Sequence, residues 1–154
     1  MGRTYVSDDR SALTDLILGS RVARTVSTHL LATTPYFRIH TGRVLMTGLV
    51  GKVVDESAAN ACSWVANPTT GTATQVVCAA LDINLAVTGD SLSITGPVAS
   101  AMTYGTAAGL PFMSVKGVVL NVGTLDFIAA AASGSTSWIL FYIPIDEGAY
   151  VTAI

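Results

Sequence analysis

Chemistry in this chain would have to run through very few side chains. His29 and His40 are its two histidines, and hence its two imidazole bases. A hydrolytic site needs a nucleophile or a metal beside such a base, and the Gly-x-Ser-x-Gly turn that presents a strained nucleophilic serine is absent. Both histidines are therefore expected to face solvent or an interface. Carboxylates come in adjacent pairs, Asp8-Asp9, Asp55-Glu56 and Asp146-Glu147. Neighbours on a strand point to opposite faces, so these are not acid–base dyads but turn and cap residues. Asp82, Asn84 and Asp90 lack the Asp-x-Asp-x-Asp-Gly spacing of a calcium loop and read as turn formers. Cys62 and Cys78 form no Cys-x-x-Cys and no zinc pattern with the histidines. They flank a predicted hairpin, where a cross-strand disulfide is conceivable and a packed pair of thiols is the favoured reading. No cofactor and no metal is expected.

The basic residues are more telling. Residues 1–43 hold Arg3, Arg10, Arg21, Arg24, Arg38 and Arg43 against Asp8, Asp9 and Asp15, a net of +3 in a chain whose total is −2. The remaining 111 residues thus carry −5. Arg21, Arg24, Arg38 and Arg43 with Tyr36 and Phe37 could mimic a basic-aromatic strip for single strands, but an acidic domain behind it would repel phosphates. Nucleic acid is not an expected partner.

The elements that must position these groups follow from the pattern. Ser7-Asp8-Asp9, then Leu13, Leu16 and Ile17, then Gly19, predict one short capped helix. Residues 20–34 are ambiguous: Val22, Val26 and Leu30 fit a helical stripe, while the Thr and Val content favours extended chain. Pro35 is expected to end whatever precedes it. Beyond it lie short β-type runs: Tyr36–His40, Arg43–Val54, Cys62–Ala66, Thr72–Leu81, Leu85–Val87, Leu92–Thr95, Val98–Tyr104, Phe112–Leu120, Thr124–Ala130, Ser137–Ile143 and Tyr150–Ile154. The runs around Asn67-Pro68-Thr69-Thr70-Gly71 give the clearest hairpin. The expectation is an all-β antiparallel sandwich or barrel, with a jelly roll among the options. It splits into an N-terminal arm containing the helix, 1–34, and a β domain, 35–154.

Composition narrows the class. Hydrophobic residues make up 51% and charged ones 12%, about half the usual share of charge. Such a chain has the material for a core and is not a disordered one. Its longest strongly apolar run, Trp138–Ile145, is too short to span a bilayer as a helix and contains Pro144, so no membrane role is expected. The N-terminus carries acids and no apolar stretch of the kind a secretory signal needs, and Val6 stands where myristoylation wants Ser or Thr. A β domain so poor in charge is weakly protected against association, and an obligate oligomer is the physical solution it suggests.

Three stretches carry a resemblance. Gly42 to Val53, Val65 to Thr72, and Trp138 to Ile145 with Asp146-Glu147-Gly148-Ala149 together resemble uncharacterised virion proteins of tailed bacteriophages, among the head and tail structural genes. The resemblance implies a non-enzymatic structural role in the virion. Within that class a capsid decoration, or cement, protein is expected, a homo-oligomer with a trimer favoured. Its arm would grip the major capsid protein, with Leu13, Leu16 and Ile17 as apolar anchors and Arg21 and Arg24 making salt-sensitive contacts. The alternative is a tail or head-fibre subunit binding a host glycan; a small cell-wall hydrolase is the reading left from another class.

Overall fold

A computed structural model describes residues 18–71, 73–95, 99–106, 109 and 117–154. Among the described residues, eleven strands run β1 (Ser20–Thr28), β2 (Ala32–His40), β3 (Val44–Asp55), β4 (Ala61–Pro68), β5 (Gln75–Asp82), β6 (Ser91–Ser93), β7 (Thr103–Gly105), β8 (Val118–Leu120), β9 (Gly123–Ala129), β10 (Ser135–Pro144) and β11 (Tyr150–Ala153). They form two antiparallel sheets, sheet A in the order β1-β10-β3-β6-β7 with β8 also on β3, and sheet B in the order β11-β2-β9-β4-β5. The two sheets pack face to face, so the all-β sandwich expected from the run of short strands is what the chain forms. At one side they are joined: Ala79 on β5 bridges Ala101 just before β7, with Ala79 N–H donating to Ser100 O at 2.9 Å.

The core grows from the inward residues of the central strands. Trp138 on β10 and Trp64 on β4 are fully buried and meet edge to face across the sandwich, 4.8 Å between centroids. Phe127 on β9 and Tyr36 on β2 extend the cluster, Phe127 lying 5.1 Å from Trp64 and 5.2 Å from Tyr36. Such aromatic pairs add about 0.5–1.5 kcal/mol each beyond the burial of their area. Gly51 on β3 stands opposite Trp138 in the ladder, and a Cβ there would come within 2.8 Å of the indole. The glycine is a packing requirement: the indole fills the space that a side chain would take.

Three expectations change. The segment 20–34 is neither helix nor arm: β1 pairs along β10 from Ser20↔Tyr142 to Thr28↔Ser135. Its apparent helical stripe is not one face, for Val22 is half-buried while Val26 and Leu30 are exposed. Thr25, Val26 and Thr28 are β-branched, and a waiting partner strand settles the conformation. Pro35 does not end an element, since β2 runs through it; its missing N–H is tolerated at a bulge between Pro35 and Phe37 in the pairing with β9. A boundary at 34/35 would therefore cut a strand. Leu85–Val87 is a turn, closed by Ala86 N–H to Ile83 O. The expected helix and its Leu13, Leu16 and Ile17 lie outside the described residues.

Candidate functional site

His29 follows β1 and is 1% exposed. Its Nδ1 lies 2.9 Å from Ser133 O, its Nε2 lies 3.0 Å from Thr136 Oγ1, and Trp138 Nε1–H donates to that same Oγ1 at 2.9 Å. One proton arrangement satisfies all three groups: Nδ1–H donates to the carbonyl, Nε2 accepts the threonine hydroxyl, and that hydroxyl oxygen accepts the indole N–H. Asn60 completes the network, donating to Ala131 O and Ser133 O and accepting Ala131 N–H at 2.9 Å. Burial pushes the His29 pKa below 6.5, against the raising effect of the Ser133 carbonyl. A hydroxyl beside an imidazole is the geometry of an activated nucleophile, but Thr136 and His29 are sealed from solvent. The cluster pins the 131–134 loop to the core. The expectation that His29 faces solvent or an interface is thereby overturned, because its polar neighbours come from segments distant in sequence.

The other candidate chemical groups are mostly taken up structurally. Asp55 accepts the Ser135 hydroxyl. Asp82 Oδ1 accepts the N–H groups of Asn60 and Asn84, and Asp90 Oδ2 accepts that of Val87, so both are turn residues. Asp146 accepts Arg43 through Nε, Nη2 and backbone N–H at 2.8–2.9 Å, which holds its carboxyl well down, at about 2. Among the described residues no group of three His, Cys, Asp or Glu side chains could hold a metal. Cys62 and Cys78 are free buried thiols, out of register: Cys62 pairs Leu81 and Cys78 pairs Trp64. Burial raises their pKa values to about 12 and about 11.

The arginines separate. Arg24 faces inward opposite Trp138, its guanidinium 3.9 Å above the Tyr36 ring and its Nη2 donating to Ser27 Oγ at 3.1 Å. Its Nε and Nη1 are buried without a partner. It is an edge-sealing cation–π residue. Arg21 is exposed on the outer side of sheet A. Tyr36 and Phe37 are in the core, so they form no basic-aromatic strip with the arginines on the surface.

Arg38 has a different setting. A cleft of about 510 Å³ opens on the outer face of sheet B, lined by residues that include Arg38, His40, Asn67, Thr69 and Thr124. The register explains the gathering: Thr152, Arg38, Thr124 and Asn67 face one another in a single row across β11, β2, β9 and β4. Gly123 begins β9 at φ +153°, where a Cβ would strike Asn67 O at 2.3 Å, so glycine lets β9 approach the end of β4 closely. His40, next outward on β2, stacks on Tyr150 at 4.5 Å and 11°, and its Nε2 lies 2.9 Å from Thr152 Oγ1. Asn67 Nδ2 donates to Asp126 Oδ2 at 3.4 Å, and Asp126 is 4% exposed. Thr41 at the rim has φ +68°, a strained conformation for a β-branched residue. The row was missed by sequence reasoning because its members come from four strands; the signal present was a charged or hydroxyl residue at outward positions of apolar strands. Neither a protein family, nor a curated protein, nor a solved structure matches the chain.

Proposed function

We propose that the protein is a non-enzymatic structural subunit of a phage virion, a capsid decoration protein that self-associates through sheet A and attaches to the major capsid protein. One observation carries the self-association. Part of the outer face of sheet A is apolar in register, with Val119, Leu45 and Ile143 in one row and Val50, Ile139 and Ala23 in another. Val119 remains 54% and Ile143 39% exposed. A solvated antiparallel face normally alternates to polar residues, so a face of this kind calls for cover by another subunit. The resemblance in the 42–53, 65–72 and 138–149 stretches supports the virion reading. For attachment, Arg21 and the segment carrying Leu13, Leu16 and Ile17 are the docking candidates, while Arg24 acts within the fold.

Sedimentation measurement of mass tests the first part. A stable homo-oligomer, a trimer in the favoured case, is expected, and Ile143→Glu with Val119→Glu should reduce it to monomer. Imaging of labelled protein on particles tests the second, with label on heads expected. A parent chain that stays monomeric at micromolar concentration and fails to decorate heads would sink the proposal.

A further inference from the structure

We propose that the cleft on sheet B binds an acidic sugar, with Arg38 taking the sugar carboxylate and Thr124 and Asn67 its hydroxyl groups. The size fits, since pockets for small ligands run about 300–1,000 Å³. So does the charge. Arg38 is exposed, no acid lines the cleft, and the Arg38 guanidinium has no hydrogen-bond or ion-pair partner among the described residues. A free guanidinium offers a planar fork that matches a carboxylate with two parallel hydrogen bonds.

The remaining groups favour a sugar over a bare anion. The cation is followed along the row by a hydroxyl and an amide, Thr124 and Asn67, on adjacent strands about 4.8 Å apart. These groups both donate and accept, as ligand hydroxyls require. Asn67 is held by its bond to the nearly buried Asp126, so the amide is set before any ligand arrives. The stacked His40–Tyr150 pair stands beside Arg38 as an apolar ring surface, with Tyr150 47% exposed. Extended polyanions fit poorly, because one cation in a chain of net charge −2 gives little electrostatic hold on a phosphate backbone.

Saturation-transfer NMR on the full chain, in whatever oligomeric state it adopts, provides the test. The probes are glucuronate and N-acetylneuraminate, with glucose as the neutral sugar and inorganic phosphate as the simple anion. Saturable transfer to the acidic sugars is expected, with glucose at least tenfold weaker and phosphate a poor competitor. Arg38→Ala should weaken acidic-sugar binding at least tenfold, and Asn67→Ala should weaken it with Arg38 intact. Circular dichroism checks that each variant is folded; Thr124→Val serves if either is not. The idea fails if the acidic sugars show no saturable transfer, if all folded variants bind like the parent, or if phosphate competes as well as glucuronate. Any of those results leaves the structural-subunit reading untouched.

Discussion

Replacing Gly51 by alanine tests the packing argument most directly, because two physical effects predict opposite signs. In an unobstructed strand the change would help, by about 0.4–1 kcal/mol, through the reduced freedom of the unfolded chain. Gly51 lies outside the positive-φ residues, so backbone strain does not enter. The decisive term is space: the new Cβ would sit 2.8 Å from three atoms of the Trp138 indole. That ring has no easy escape, being fully buried, bonded through Nε1 to Thr136 and packed edge to face on Trp64. Overpacking of a core costs about 1–3 kcal/mol, and a ring fixed on three sides belongs at the upper end. The net expectation is a loss of about 2–3 kcal/mol, or about 4–12 °C in Tm for a chain of this size. Urea unfolding followed by tryptophan fluorescence reads it. Combining the change with Trp138→Phe, which shortens the ring, should cost at least 1 kcal/mol less than the sum of the single changes. A Gly51→Ala protein as stable as the parent would refute the argument.

Three further outcomes follow from the titrating groups. His29 has its pKa below 6.5 in the fold, so below that pH the unfolded chain binds the extra proton first. The urea midpoint should therefore fall as pH drops from about 6.5 towards the depressed folded value. His29→Gln, though less stable throughout, should lose that part of the slope. The Asp146 side-chain carbon should titrate by NMR with a midpoint at about 2, and Arg43→Gln should raise it only part of the way to the ordinary carboxylate range, because the backbone N–H of residue 43 still donates to Oδ2. Cys62 and Cys78 should be silent to Ellman's reagent at pH 8 and yield two thiols in urea, because burial raises their pKa values to about 12 and about 11.

How far the fold could be read from sequence depended on whether the information was local. The β4–β5 hairpin was legible because its turn, Asn67 to Gly71, punctuates two β-type runs. The long β3 and β10 were legible from continuous Val, Leu and Ile content. β1 was not, because Val22, Val26 and Leu30 satisfy a helical period as well as a strand propensity, and the deciding term is its pairing with β10. Position 35 misled for the same reason: the bulge that accommodates the proline belongs to the partnership with β9. The sites follow this rule more severely. His29 looked like a solvent or interface residue because Asn60, Ser133 and Thr136 reach it from far along the chain. Arg38 was visible as a charge, but its row exists only once the register of four strands is fixed.

That register makes the molecule two-sided, and the asymmetry ties the two proposals together. On the outer face of sheet A, Val119, Leu45 and Ile143 form one apolar row and Val50, Ile139 and Ala23 another, beside a polar row of Ser91, Lys52 and Ser137. On sheet B the corresponding outer row is Thr152, Arg38, Thr124 and Asn67, without an apolar member. A lone domain facing water on both sides has no reason to gather exposed apolar rows on one sheet and an uninterrupted polar row on the other. A subunit that associates through one face and meets a hydrophilic ligand through the other does. Packed sheets stand about 10 Å apart, and sites at that separation without shared partners act nearly independently. Ile143→Glu should thus change the sedimenting mass while leaving glucuronate binding within twofold of the parent. Arg38→Ala should do the reverse. If either substitution moves both readouts in a folded protein, the two faces are one coupled site, and the division of labour between the sheets is wrong.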